Sequence, residues 1–179
     1  GLSRVYKVQV SALDLSQHDL GLLVPLAVDG LDAGLAQRTL AVLTDPAQYW
    51  RTFGLAGCPA NAPGYAAAGV TGCGGSSPHL TALLAEALID RGEADAAREL
   101  FERVIAAQAR ALRERHAFFA SYDPDTGEGR GEPDALTGTV PFGWFTRLAG
   151  AFVLARDAVA ISGPWALGAR AITWTQHGV

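Results

Sequence analysis

The sequence predicts an all-α architecture of helical hairpins arranged in a ring, with short β segments at its ends. Three observations carry that expectation. Apolar residues recur at three-and-four spacing over residues 80–88 and again over 94–112, the period of a helix with one buried face. Two glycine corners resemble each other: Asp29-Gly30-Leu31-Asp32-Ala33-Gly34-Leu35-Ala36 and Asp90-Arg91-Gly92-Glu93-Ala94-Asp95-Ala96-Ala97. Gly30 and Gly92 lie 62 positions apart (92 − 30), too long for a tetratricopeptide array of about 34 residues but suited to hairpins joined by long loops. Alternating apolar and polar residues, the mark of a strand, occur near the two ends.

Residues 1–12 form a short strand and linker, with the alternation in Val5-Tyr6-Lys7-Val8-Gln9-Val10. A partial ring of helices then occupies residues 13–160. Its first helix carries Leu20, Leu22, Leu23, Leu26 and Ala27, with Asp14 or Ser16 as cap, Pro25 as a kink and Gly30 as the stop. A second, bearing Leu31, Leu35, Leu40 and Val42, ends before Asp45-Pro46. Residues 53–78, with seven glycines and three prolines, form a loop of a length that is commonly functional. Beyond it, Ser76 or Ser77 caps a helix with Leu80, Leu83, Leu84, Ala87 and Leu88 on one face. A tight corner at Asp90-Arg91-Gly92 leads to a longer helix with Ala94, Ala97, Phe101, Val104, Ile105 and Leu112 inward, ending at His116. Residues 122–141 read as a second loop. A last helix spans residues 141–159 with Phe142, Phe145, Leu148, Phe152 and Val153 on its apolar face. Residues 161–179 hold a terminal strand.

Composition removes several classes of function. With 179 residues, 49% hydrophobic, 18% charged and a net charge of -4, the chain supports a sizeable core and is not disordered. Its apolar runs are too short and interrupted to span a membrane as helices. Lys7 is the only lysine, and Arg98, Arg103, Arg110, Arg113 and Arg115 alternate with Glu99, Glu102 and Glu114. That pattern is a solvated helix face, not a stripe that neutralises phosphates, so no nucleic-acid partner is expected. The sequence holds no methionine and opens Gly1-Leu2-Ser3 without a basic, apolar leader. The expectation is a chain processed, trimmed or cut from something longer; the compartment is open, with the cytoplasm favoured.

Cys58 and Cys73 sit 15 positions apart in one glycine-rich loop. A disulfide there would contribute roughly 3 kcal/mol in the chain-entropy model; two free thiols are the alternative. Without paired histidines they make no zinc site, and His18, His79, His116 and His177 are scattered, so no metal is expected. The run Gly72-Cys73-Gly74-Gly75-Ser76-Ser77 offers backbone amides at a helix start, either for a polar substrate group or as a simple cap. His79 lies beside it. Carboxylates and aromatics concentrate at Tyr122, Asp123, Asp125, Glu128, Glu132, Asp134, Phe142 and Trp144. Aromatic faces stack on sugars and carboxylates accept their hydroxyls, and glycosidic cleavage needs a pair of carboxylates.

The order Ala47-Gln48-Tyr49-Trp50, Phe53-Gly54-Leu55, the Arg91-Gly92 corner, Ser121-Tyr122-Asp123-Pro124-Asp125-Thr126-Gly127 and Phe142-Gly143-Trp144 resembles the C-terminal half of the catalytic domain of family 63 glycoside hydrolases. Glucosylglycerate hydrolases and glycogen-debranching-type glucosidases are relatives of the same kind. The resemblance covers residues 13–160. It implies half of an (α/α)6 toroid, inverting hydrolysis of glucosides, a carbohydrate ligand and no cofactor. Tyr122, Asp123, Trp144, Ser76 and His79 would then shape the sugar subsite.

The sequence departs from that family at two places. Val70-Thr71-Gly72-Cys73-Gly74-Gly75 stands where a Trp-Arg-Gly-Pro-x-Trp segment is usual, and Ala120 stands at the position of the general-base glutamate. Alanine cannot activate water, so the nearest candidate base is Glu128 on the following loop, and the general acid would lie outside this chain. Three accounts follow: a glycosidase fragment with a relocated base, a carbohydrate binder without turnover, or a toroid used for assembly. The isolated chain is expected to be inactive, and uncovered helix faces predict self-association or attachment to the rest of a parent chain.

Overall fold

The structure is a computed structural model that describes residues 19–66, 73–155 and 158–161. The strands expected at residues 5–10 and in 161–179, and the caps expected at Asp14 and Ser16, lie outside the described residues, apart from Ile161. The described chain is about half helical, with three two-stranded antiparallel sheets, two of them between helices in the sequence and the third after the last helix. The all-α expectation therefore needs correction, because these strands sit inside the chain and not only at its ends.

The chain enters through a 3₁₀ segment, Leu20–Ala27, capped by Asp19, whose carboxylate accepts from Gly21 N. Pro25 lies within it, and the tighter winding requires no i−4 hydrogen bond at that point. Gly30, at φ 79°, turns the chain into α1 (Ala33–Leu43), capped by Asp32, whose Oδ1 accepts from Leu35 N at 2.9 Å. α1 buries Ala36 and Leu43, while Leu35 is exposed, contrary to the predicted face.

After Asp45-Pro46 come the two-residue strands β1 (Trp50–Arg51) and β2 (Gly54–Leu55), paired Trp50 to Leu55 and Arg51 to Gly54. Part of the expected loop is thus a small hairpin. Helix α2 (Pro78–Asp90) starts on Ser77 and Pro78, as the pattern predicts. It is buried on most of its circumference, Thr81, Ala85 and Ile89 included, because the 3₁₀ segment, α3 and α4 all pack on it. Leu83 is exposed; it belongs to the one outward stripe, with His79 and Asp90.

A corner at Gly92, φ 86°, leads to α3 (Ala94–Arg115), which packs back on α2. Leu100, Val104 and Ala107 point inward, whereas Leu112 is exposed. Along its outer side run the i,i+4 pairs Arg98–Glu102 at 3.0 Å, Glu99–Arg103 at 2.5 Å and Arg110–Glu114 at 3.1 Å, each contributing about 0.3–0.5 kcal/mol. The two glycine corners also meet. Arg91 Nε donates to Leu26 O at 2.8 Å and Nη2 to Val28 O at 3.3 Å, so the second corner satisfies carbonyls beside the first.

Residues 119–133, which include part of the expected second loop, form the hairpin β3 (Phe119–Tyr122) with β4 (Gly129–Pro133). A short 3₁₀ turn, Leu136–Gly138, follows. Helix α4 spans only Phe142–Leu148. It stops where Gly150 adopts φ 73°, and the apolar run beyond it pairs as β5 (Ala151–Ala155) with β6 (Ala158–Ile161). The expected helix to residue 159 is thereby corrected: left-handed Gly150 breaks the period, and the β-branched Val153, Val159 and Ile161 favour strand.

The main core joins the 3₁₀ segment, α1, α2, the first half of α3 and α4 around Leu43, Leu84, Leu88, Leu100, Trp144 and Leu148. A smaller cluster of Ala107, Ala111, Ala117, Phe119 and Tyr122, with Phe53 against it, lies under the β3–β4 hairpin; the small side chains of α3 let that hairpin approach closely. Leu84→Ala is expected to lower the unfolding free energy by about 2–5 kcal/mol, and Leu83→Ser by no more than about 0.5 kcal/mol, both read by urea denaturation. Equal losses would contradict the buried face assigned to α2.

Candidate functional site

The residues with the chemistry of interest gather where the glycine-rich loop meets the β3–β4 hairpin. Ser76 N donates to Tyr122 O at 2.8 Å, and Tyr122 N returns the bond to Ser76 O at 3.0 Å. This pair ties the segment entering α2 to β3. The disulfide between Cys58 and Cys73, with Cα atoms 5.5 Å apart, closes the glycine-rich loop just upstream. Gly57 is required there, since a Cβ at that position would lie 2.3 Å from the Cys73 carbonyl oxygen.

Asp123 builds the turn that follows β3. Its Oδ1 accepts from Asp125 N and Thr126 N, both at 2.9 Å, and its carbonyl accepts from Gly127 N at 2.8 Å. This is a side-chain-stabilised turn, with Pro124 presetting φ and Gly127 at +74°. The carboxylate is 2% exposed as a residue and faces Arg130 Nη2 at 3.6 Å from Oδ2. Its hydrogen-bonding capacity is therefore spent largely on the fold.

The other expected subsite residues are also held by the interior. The Tyr122 hydroxyl donates to Gly138 O at 3.0 Å and accepts from Phe119 N at 3.2 Å, and burial pushes its phenol up from the usual tyrosine value. Trp144 is 0% exposed and packs edge-on against Phe101, with ring centres 5.1 Å apart, leaving no face for a sugar. Ser76 is buried with its hydroxyl against Gly54, where an added Cβ would come within 2.7 Å. His79 is exposed, and its Nδ1 lies 2.9 Å from Thr137 O. To bond a carbonyl, that nitrogen carries a proton.

Glu128 stands at the far end of the turn, where its carbonyl accepts from Asp123 N at 2.8 Å. Its side chain is exposed and accepts from Arg130 Nη2 at 2.7 Å. The ladder above it is irregular. Phe119 pairs with Pro133 and Ser121 with Arg130, so Ala120 alone on β3 opposes both Gly131 and Glu132 on β4. Gly131, at φ 77°, is the extra residue of a bulge. Glu132 is exposed, and it is the carboxylate across the ladder from Ala120.

A third constellation was not singled out by the sequence. Arg51 Nε donates to Asp125 Oδ1 at 2.7 Å, and the Tyr65 hydroxyl donates to Asp125 Oδ2 at 2.6 Å. Arg51 also donates to Pro46 O at 2.6 Å, while its own carbonyl accepts from Arg103. The group joins β1, the disulfide-closed loop and the turn, which are far apart in sequence and have no shared periodicity. Among the described residues, no group of three His, Cys, Asp or Glu side chains could hold a metal ion, and no helix is long and apolar enough to cross a membrane.

The chain matches the model of the mannosylglycerate hydrolase MGH1-like glycoside hydrolase domain over residues 5–144. It belongs to that glycoside hydrolase family. The motif order from Tyr49 to Trp144 implied a relative of this kind, and the match covers those motifs. No curated protein matches the chain.

Among solved structures, the chain is similar to a GH63 mannosylglycerate hydrolase from Thermus thermophilus in complex with glucose. The TM-score is 0.56 at 24% identity, over 75% of this chain and 31% of that one. An uncharacterized conserved protein from the same organism matches with a TM-score of 0.55 at 24% identity, over 75% of this chain and 30% of that one. A sialidase matches with a TM-score of 0.60 at 16% identity, over 74% of this chain and 14% of that one. These likenesses establish a shared fold, and this member of the glycoside hydrolase family spans less than a third of the length of the first two.

The Tyr65 phenol is pushed above its usual value of 10.0, first by burial and then by its bond to Asp125. A raised value in the folded state means that its contribution to stability is complete below about pH 10 and is lost as the pH rises beyond it. The denaturation midpoint is expected to fall from about pH 10 upward, and Tyr65→Phe to flatten part of that fall, with the shares from Tyr49 and Tyr122, both also raised by burial, remaining. An unchanged slope in the variant would remove Tyr65 from this account.

Proposed function

We propose that this chain is the base-bearing part of an inverting glycoside hydrolase acting on glucosides or glycosylglycerates, and that it is inactive alone. Its helices would form sectors of an (α/α)6 toroid, with the general acid supplied by residues outside this chain. Family membership supports the reaction class, and the crystallised relative named as a mannosylglycerate hydrolase, with glucose bound, supports the substrate class.

The observation that carries the proposal is the bulge at Gly131, which sets Glu132 opposite Ala120. Inversion needs a carboxylate that activates water, held about 6.5–9.5 Å from the acid. Glu132 is exposed and sits across from the position where the family resemblance places that carboxylate. Glu128 is the poorer candidate on two grounds. It lies opposite residue 123, three residues and thus about 10 Å farther along the strand, and its carboxylate already accepts a hydrogen bond from Arg130.

A second reading, carbohydrate binding without cleavage, is favoured by Ala120 itself, which leaves β3 with no carboxylate at that point. In either reading, exposed apolar residues such as Leu22 and Leu136 would be covered by a second copy or by the rest of a parent chain.

The chain alone is expected to release no hexose from glucosylglycerate or mannosylglycerate, while a protein extended through its full reading frame releases it with inversion. In that longer protein Glu132→Gln should reduce kcat by about 10²–10⁴-fold, and Glu128→Gln should spare it. The opposite ranking would return the role to Glu128. Sugar binding seen by calorimetry without product from the longer protein would establish the second reading.

A further inference from the structure

We infer that Asp29 is a covalent modification site, where the Asp29–Gly30 linkage rearranges through a succinimide to isoaspartate. This goes beyond the hydrolytic reading and does not depend on it. The rearrangement is favoured by a free carboxyl group, by a following amide nitrogen that is not engaged in a hydrogen bond, and by a following residue with no side chain to block the approach. Asp29 meets all three conditions. Residues 27–30 are exposed, where the 3₁₀ segment ends and the chain turns toward the cap of α1. Among the described residues, neither the Asp29 carboxylate nor Gly30 N takes part in a hydrogen bond or ion pair. Gly30 has φ 79°, and the space that a Cβ would occupy is open, so the backbone is free of side-chain hindrance at that step.

No other described aspartate combines these conditions. Apart from Asp134, each has its carboxylate hydrogen-bonded or facing an arginine, and Asp134 is followed by Ala135, whose Cβ hinders the approach. The second glycine corner supplies the closest comparison. There Asp90 pairs with Arg147, and the nitrogen that would attack, Arg91 N, donates to Ala87 O and Leu88 O, both at 3.2 Å. Two corners of similar sequence thus differ in the one amide that matters.

In the first step Gly30 N attacks Asp29 Cγ. The N–Cγ bond forms, a Cγ–O bond breaks, and the carboxyl OH leaves as water with the amide proton. Water then adds to the cyclic imide. Addition at Cγ restores aspartate, whereas addition at the main-chain carbonyl carbon breaks its bond to Gly30 N and leaves the chain running through Cβ and Cγ. The product has the mass and charge of the original, with a free α-carboxylate and an extra main-chain bond. That bond falls between two fixed points, since Val28 O accepts from Arg91 at 3.3 Å and Asp32 caps α1.

Ageing the folded chain for several weeks in mildly acidic buffer, followed by peptide mapping with electron-transfer fragmentation, tests the inference. Isoaspartate should accumulate at residue 29, with a transient species lighter by one water. An exposed corner opens at almost no free-energy cost, so the rate should lie within about tenfold of that in an unstructured peptide of the same local sequence. Asp29→Glu, which cannot close the five-membered ring, should keep the fold by circular dichroism and form no such product at that position. Three results would overturn the inference: a residue 29 that stays unmodified in the folded chain, a rate below that range, or isoaspartate forming at Asp90 as fast as at Asp29.

Discussion

The reciprocal main-chain pair between Ser76 and Tyr122 is the junction on which this part of the molecule depends. It joins the segment that launches α2 to the strand that ends in the Asp123 turn. Because Tyr122 is fixed by its backbone, its hydroxyl can satisfy Gly138 O, which Gln108 on α3 also approaches at 2.9 Å. A Cβ at Gly138 would lie 1.9 Å from Phe119 O, so the 3₁₀ turn closes directly on β3. Helix pair, hairpin and 3₁₀ turn thus share one small set of buried polar groups, in surroundings where an unpaired group costs about 1–3 kcal/mol.

The helices were the most legible part of the sequence, for a physical reason. Their starts are encoded locally, as Ser77-Pro78 shows: a side-chain acceptor followed by a residue lacking an N–H. Where the reading failed, distance along the chain intervened. Leu83 and Leu84 are both apolar, and only the partners packed around α2 decide which is inside. Residues 142–161 are rich in apolar side chains, and whether such a run continues as helix is settled by one left-handed glycine at 150. The β1–β2 and β3–β4 strands are too short for an alternating pattern to develop, and Gly129, Gly131 and Pro133 read as loop residues.

The candidate site was legible in its location but not in its roles. Tyr122, Asp123 and Trp144 have the composition of a sugar subsite. The same composition also describes a buried tyrosine with a bonded hydroxyl, an aspartate folding its own turn and a tryptophan filling a core, and burial alone distinguishes the two. Arg51, Tyr65 and Asp125 were invisible as a group because the contacts are tertiary. Which residues of β4 face Ala120 was hidden as well, because a register shift decides it, and register is set by pairing geometry, not by counting along one strand.

That bulge also bears on how a family of such chains can diverge. The register shift leaves Ala120 facing two residues of β4, and a Cβ built on one of them, Gly131, would lie 3.5 Å from that of Ala120, so the strands meet there at small residues. A side chain gained at 131 would sit on a left-handed backbone and press on Ala120, so a change at one of these positions bears on the other. The bulge thereby couples the two strands' choices of residue at the one place where their pairing slips.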